Sequence, residues 1–179
     1  FETTVDAKTV KVVRIGISML EVNGIRFQPH EDEKTDFLIV AKNDFIITSG
    51  IKDKLIKFWK ISDILVSKDG QKPFFHWKHA KKLTAMHWID FNLDNTLISG
   101  IIYSDRFGEV RFFNTKNLPE SSSEESKEDK DENEERENNA NLLFAHQDII
   151  SHLELINNKK YILTVDSCKI KTTHFPEVV

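Results

Sequence analysis

Residues 145–176 read AHQDIISHLELINNKKYILTVDSCKIKTTHFP. His146 opens the stretch and Asp148 follows it closely. An apolar run from Ile149 to Ile156 leads into a polar turn, Asn157-Asn158-Lys159-Lys160. Then come Tyr161-Ile162-Leu163-Thr164-Val165, a break at Asp166-Ser167-Cys168, and Lys169-Ile170-Lys171-Thr172-Thr173. Short β-rich runs separated by turn residues, with no helical period, predict three consecutive antiparallel strands.

Working outward, the same order of residues occurs twice more. One unit opens at Pro29-His30 and gives Phe37–Val40, Phe45–Ser49, a turn at Lys52-Asp53, and Leu55–Trp59. Another opens at Lys78-His79 and gives Leu83–Trp88, Thr96–Ser99, Asp105 in a turn, and Glu109–Phe113. Each unit runs His, strand, strand, Asp in a turn, then a strand with an apolar-basic centre. The units start at 30, 79 and 146, and the second spacing falls to about 44 without the acidic segment 118–140. A period of ~40–45 residues with four strands each is the WD40 signature. Lys57-Phe58-Trp59-Lys60 occupies the "WD" position, and Ala145-His146-Gln147-Asp148 resembles the Gly-His start.

The fold expected is therefore all-β, built from WD40-type β-propeller blades. A four-stranded blade cannot bury both faces alone, so blades must stack face to face. The boundaries read as a β-rich segment at 1–29 belonging to a preceding blade, a blade at 30–78, a blade at 79–144, and a partial blade at 145–179. About three units are recognisable. A closed propeller needs at least ~4, so the chain reads as part of a larger or incomplete propeller. Phe74–Lys78 and Asn141–Phe144 serve as fourth strands. His30, His79, His146, Asp53, Asp105 and Asp166 are read chiefly as hydrogen-bonding groups that lock the hairpins, since buried polar groups in sheets are normally satisfied locally.

Charge is unevenly distributed. Residues 118–140 hold ten acids and three bases, a net −7; the remainder holds 22 bases and 19 acids, a net +3. That segment lacks the apolar residues needed to offset ordering, so disorder is expected there. Ser121-Ser122-Ser123-Glu124-Glu125-Ser126 has the form of an acidic-directed kinase substrate, although a solvated spacer is the stronger reading. The chain begins at Phe1, as a piece of a longer protein would, and its start lacks the apolar core of a signal peptide. No apolar run approaches the ~20 residues of a membrane span, so no membrane partner is expected. The single Cys168 excludes an internal disulfide framework and fits a reducing compartment.

Enzymatic motifs do not occur. The six glycines, at 16, 24, 50, 70, 100 and 108, are nowhere closer than eight residues apart, which excludes G-x-G-x-x-G, Walker A and methyl-donor loops. There is no G-x-S-x-G elbow and no H-E-x-x-H. Residues three apart on a strand face opposite sides, so His76 and His79 are poorly placed to chelate together. Cys168 and His174 lack further thiols for a zinc framework. No metal, no cofactor and no catalytic residue are expected. Lys57, Arg111 and Lys171 share one rank in the three units, as ordinary blade residues do. Arg106 and Lys169, in or beside hairpin turns, are the better candidates for partner contacts.

From Tyr103 to Pro176 the chain resembles a specific WD-repeat family, the non-catalytic subunit of tRNA (guanine-N7-)-methyltransferase. Ser104-Asp105-Arg106-Phe107-Gly108-Glu109-Val110 is similar to that family's A-D-K-x-G-D-V hairpin, and Leu143-Phe144-Ala145-His146 to its L-x-G-H. Tyr161–Asp166 and Lys169–Pro176 resemble F-I-L-T-A-D-R-D-E-K-I-R/K-x-S-x-x-P. Lys81-Lys82-Leu83-Thr84-Ala85 resembles the lead into the preceding blade. Coverage is roughly 79–176, with weaker support at 37–61. The turn Asp166-Ser167-Cys168-Lys169 departs from the family by being one residue shorter and by lacking the inner Arg, Asp and Glu.

The resemblance implies a scaffold, not an enzyme. It would bind and stabilise a separate catalytic tRNA methyltransferase subunit as a heterodimer, and reach tRNA through that complex. It also implies a nuclear location, with room for a cytoplasmic pool as well. Carried over by position, Arg106, Asp166, Lys169 and Lys171 are the partner-binding residues. The alternative reading is a generic WD-repeat adaptor for protein–protein interaction in a larger complex.

Overall fold

Two third-rank strands display the logic of the fold. Leu55–Lys60 and Glu109–Asn114 share one burial pattern, in which the second, fourth and fifth residues are buried: Ile56, Phe58 and Trp59 in one, Val110, Phe112 and Phe113 in the other. Alternation buries one face, and the apolar pair at the end of the run buries both. The computed structural model describes residues 1–5, 8–31, 34–41, 44–67, 71–79, 81–93, 96–119, 140–156 and 161–174. Most of the acidic segment and its serines, the turn 157–160 and Phe175-Pro176 lie outside the described residues, as do the expectations made for them.

The strands in chain order are β1 (Glu2–Val5), β2 (Lys8–Ile15), β3 (Met19–Val22), β4 (Ile25–Phe27), β5 (Thr35–Val40), β6 (Phe45–Gly50), β7 (Leu55–Lys60), β8 (Phe75–Lys78), β9 (Leu83–Leu93), β10 (Thr96–Asp105), β11 (Glu109–Asn114), β12 (Ala140–Ala145), β13 (His152–Ile156), β14 (Tyr161–Val165) and β15 (Ile170–His174). A six-residue helix, α1 (Ile61–Val66), follows β7. The strands form antiparallel sheets in which sequence neighbours pair: β1 to β4, β5 to β8, β9 to β12, and a three-stranded β13 to β15. The all-β, blade-built fold expected from the sequence is the fold observed.

The chain divides into two compact units, the first carrying β1–β8 and the second β9–β15. In the first, Val10, Val12, Leu20, Val22 and Phe27 of one sheet meet Ile46 and Trp59 of the next, with Ile61 and Ile64 of α1 alongside. The Phe27 and Trp59 rings lie 5.0 Å apart. In the second, Ile89, Ile98, Ile102, Val110 and Phe112 share a core with Ile150, Leu153 and Ile162.

One feature completes the sequence reading and two differ from it. The N-terminal segment is a four-stranded sheet of its own, β1–β4, with a β3–β4 turn in which Asn23 and Gly24 both have positive φ, at 46° and 89°. Two consecutive residues of that kind make the tight hairpin that alternating apolar strands need. Second, β10 continues through Ile101, Ile102 and Tyr103, all buried, so it is a ten-residue strand rather than a short run ending at Ser99. Third, α1 was not expected. Asp44, at φ 64°, accepts from Ser62 N at 3.1 Å and Ser62 Oγ at 2.8 Å, and so satisfies the first turn of the helix from another strand's end. No helix among the described residues is long and apolar enough to cross a membrane.

Inside the β5–β8 sheet, four side chains form one network. His30 Nδ1 meets Asp53 Oδ2 at 2.7 Å, its Nε2 meets Thr48 Oγ1 at 2.9 Å, and Trp59 Nε1 donates to the same Oγ1 at 2.9 Å. Asp53 Oδ1 accepts from Leu55 N at 2.9 Å, which fixes the turn into β7. A proton on His30 Nδ1, with the Thr48 hydroxyl donating to Nε2, satisfies every partner. Gly50 is required beside it, because a Cβ there would stand 2.7 Å from His30 Nδ1 and closer still to Asp53. In the last sheet, His146 Nδ1 meets Asp166 Oδ2 at 2.8 Å and its Nε2 meets Thr164 Oγ1 at 2.7 Å. These polar groups therefore fasten sheets, as their positions in the repeat indicate.

Candidate functional site

With His30, Asp53, His146 and Asp166 committed to the sheets, the side chains left facing solvent at the hairpin turns of the second unit form the candidate surface. The β10–β11 turn is built around Asp105. Its Oδ1 accepts from Phe107 N at 2.8 Å and Glu109 N at 3.2 Å, an Asx-type turn that imposes its own geometry. Gly108 follows at φ 82°. A Cβ there would lie 2.5 Å from Asp148 O and 2.9 Å from His146 O, so the turn sits directly against the 146–148 segment. His146 N donates to Gly108 O at 2.9 Å, and on the other side Arg106 N donates to Lys82 O at 3.0 Å. The turn is thus tied to its neighbours at both flanks.

That rigid frame holds Phe107 out. It is 55% exposed, and Lys81 Nζ and Arg106 Cζ lie 4.9 and 5.1 Å from its ring centroid. Cations at that distance are attracted by the ring quadrupole. Lys81 is also committed elsewhere, at 2.8 Å from Glu109 Oε1 and 3.7 Å from Asp105 Oδ2. Its hydrogen bond is the main reason that the Glu109 carboxyl is held below the usual range, with Arg111 adding to it against the opposing effect of burial. Arg106 and Lys82 are exposed, and neither has a carboxylate partner among the described residues.

The β14–β15 turn joins the same run. Ser167 Oγ bonds the Asp148 carboxylate, and Ile149 N donates to Asp148 Oδ1 at 2.7 Å. Those two bonds, the Ser167 one first, lower the Asp148 pKa. The 146–149 segment therefore touches the β10–β11 turn on one side and the β14–β15 turn on the other. Along this run Lys82, Arg106, Phe107, Ile149 and Lys169 are exposed, with Asp148 as the exposed carboxylate.

Of the four residues that the sequence singled out, Arg106 and Lys169 are on this run and exposed. Lys171 is exposed on β15, its Nζ 4.2 Å from the centroid of Phe144 on β12. Asp166 points inward, with its side chain 2% exposed. Its carboxylate takes the backbone N–H groups of Cys168 at 2.7 Å and Lys169 at 2.5 Å as well as His146, and the Cys168 bond and then the His146 bond lower its pKa. Its place is that of a fastener. Phe107, Lys82 and Ile149 were not singled out as contacts. A large aromatic within a four-residue polar turn was the available signal for Phe107; exposure of the other two depends on tertiary placement. Among the described residues no group of three or more His, Cys, Asp or Glu could hold a metal ion. Cys168 is an exposed free thiol.

No family model matches the chain, and no curated protein matches it. Solved structures do. A crystal structure of BBS1N in complex with ARL6DN, soaked with lead, superposes with a TM-score of 0.58 at 11% identity, covering 96% of this chain and 43% of that one. A mercury-soaked crystal of the same complex gives 0.58, 11%, 96% and 44%. This chain therefore spans less than half the length of the chains that it matches. At that identity the likeness is one of fold, and the fold is an all-β chain of propeller-type blades.

Proposed function

We propose that the chain is a non-catalytic interaction module that holds a protein partner on the linked turns 106–108, 146–149 and 167–169. The observation that carries this reading is the division of labour among its polar side chains. The His and Asp of two units of the repeat, His30 with Asp53 and His146 with Asp166, are spent inside the sheets. What faces outward on the braced run of turns is the Phe107 ring, Ile149, the cations Lys82, Arg106 and Lys169, and the Asp148 carboxylate. Protein interfaces are enriched in aromatic and Arg anchors of this kind. The similar BBS1N chain was crystallised in complex with another protein, ARL6DN, which lends general support to partner binding by this fold. The test is affinity capture with the intact protein against a variant bearing Arg106→Glu and Lys169→Glu. Retention of every captured partner by the variant would remove the site assignment.

A narrower reading is favoured by the exposure of three basic residues at the ranks that the tRNA guanine-N7 methyltransferase scaffolds use. In it Arg106, Lys169 and Lys171 dock the catalytic subunit of such an enzyme, tRNA is reached through the complex, and the protein works in the nucleus. Truncating one partner of a desolvated charge pair at an interface costs about 2–5 kcal/mol. Lys171→Glu is therefore expected to abolish co-purification with a methyltransferase subunit and to lower N7-methylguanosine in cellular tRNA. Unchanged methylation in the variant leaves the adaptor reading in place and discards this one.

A further inference from the structure

Within the run of turns, the patch made by Lys82, Arg106 and Phe107 has a chemistry of its own, and we infer that it is the anchoring subsite for an acidic protein segment that carries a large apolar residue. The inference rests on the interaction-module reading above and names the partner's chemistry.

Three observations select that occupant. First, the positive charge is available. Lys81 is neutralised by Glu109, whereas Arg106 and Lys82 have no carboxylate partner among the described residues. Second, the charge is pre-organised. Arg106 N is bonded to Lys82 O at 3.0 Å, and the Arg106 guanidinium is held 5.1 Å from the Phe107 centroid. A guanidinium steadied in this way loses less rotamer freedom on pairing and offers its fork to a carboxylate. Third, apolar area accompanies the charge. Phe107 is 55% exposed, and Ile149, on the segment that the turn rests against, is 50% exposed.

A single-stranded nucleic acid is the competing occupant, since aromatic rings and cations also make stacking platforms. The geometry disfavours it. A stacked base needs a whole face of the Phe107 ring, and Lys81 and Arg106, 4.9 and 5.1 Å from its centroid, compete for that face. The patch offers two cations without a carboxylate partner among the described residues, Lys82 and Arg106, whereas nucleic-acid affinity grows with the number of phosphates neutralised. A carboxylate can pair with exposed Arg106 or Lys82 with no carboxylate to displace among the described residues, and an apolar side chain beside it packs on the part of the ring left exposed.

The experiment uses the intact protein and three labelled probes: a short peptide alternating Glu and Leu, its counterpart with Gln for Glu, and oligouridine. The Glu-Leu peptide is expected to bind, more weakly as salt is raised, while the Gln peptide and oligouridine do not. Arg106→Gln and Lys82→Gln should each weaken binding about fivefold, and Phe107→Ser by at least as much. Lys116→Gln, an exposed cation outside the patch, should leave it unchanged. Equal binding of the Gln peptide, or wild-type affinity in Arg106→Gln, overturns the inference. A natural protein partner that remains bound to Arg106→Gln and Lys82→Gln would keep the interaction-module reading and discard this subsite. Displacement of the peptide by oligouridine would count against both.

Discussion

The β5–β8 sheet and the β13–β15 sheet are built on the same plan and differ in one strand. Both have a His–Asp pair, at 2.7 Å for His30–Asp53 and 2.8 Å for His146–Asp166, and both have a Thr hydroxyl on the second imidazole nitrogen. In the first sheet Trp59 completes the network and β8 covers the third strand, setting Trp77 opposite Ile56. In the last sheet Thr173 stands at the rank of Trp59, and no fourth strand pairs with β15 among the described residues. The consequence is visible in one residue. Ile56 and its equivalent Val110 are fully buried, whereas Ile170, at the same rank, is 76% exposed. The fastener sets where the turn goes; the aromatic cap and the fourth strand decide whether the third strand is core. A motif that positions a hairpin is thus separable from the burial that stabilises it.

The widest gap should appear at the cap. Trp59→Ala removes a nearly fully buried indole and its bond to Thr48, and is expected to destabilise by about 3–5 kcal/mol. Thr173→Ala should change stability by less than about 1 kcal/mol, because the Thr173 hydroxyl has no hydrogen-bond partner among the described residues. Chemical denaturation of both variants measures the difference. Comparable losses would mean that the two sheets are equally completed in solution.

A smaller contrast concerns the strand itself. Ile56→Ala is expected to cost about 2–4 kcal/mol, since it opens a cavity at a fully buried position across from Trp77. Ile170→Ala should fall within about 0.5 kcal/mol of wild type. Thermal shift assays on the two variants check this. A large loss at Ile170 would break the comparison, by showing that something covers β15 in the intact protein.

How much of this was legible in the sequence follows from the same separation. Fasteners lie within one repeat and recur at fixed ranks: His30, Asp53 and Trp59 stand out against a β-rich background, so the repeat was readable from them. The β1–β4 sheet has no such set, and its first and last strands are four and three residues long, so only its tertiary pairing defines it. The end of β10 was lost because Ile98 to Asp105 are all buried, and a continuous buried run has no alternation to read. Of the candidate surface, Arg106 and Lys169 were legible as charges in turns. Asp166 was readable as a fastener from its rank in the repeat and as a partner contact from its resemblance, and geometry puts its carboxylate inside. Phe107 becomes notable only once Asp105 and Gly108 have fixed the turn that projects it.

Acid tests what the two sheets share. Asp53 and Asp166 both have pKa values below that of a free Asp. For Asp53, burial opposes the shift and the His30 bond, the Leu55 N–H and the Lys57 charge outweigh it. For Asp166, the Cys168 N–H and His146 lead. A carboxylate with a depressed folded pKa binds fewer protons in the folded chain than in the unfolded one. Its stabilisation is therefore complete above the free Asp value, near pH 4, and is lost as pH falls through the folded value. His87 acts in a separate window. Burial lowers its pKa below the usual histidine value, so stability declines as pH drops below about 6.5, where the unfolded chain takes up that proton first. His87→Gln should remove the upper part of the acid slope and leave the part below pH 4. Asp53→Asn and Asp166→Asn, less stable at neutral pH, should each flatten only the lower part, and by similar amounts if the fasteners are equivalent. Denaturation midpoints measured across pH separate the two windows. Flattening by Asp53→Asn alone would mean that the last sheet's fastener is loose, and that the missing cap weakens the hairpin as well as exposing the strand.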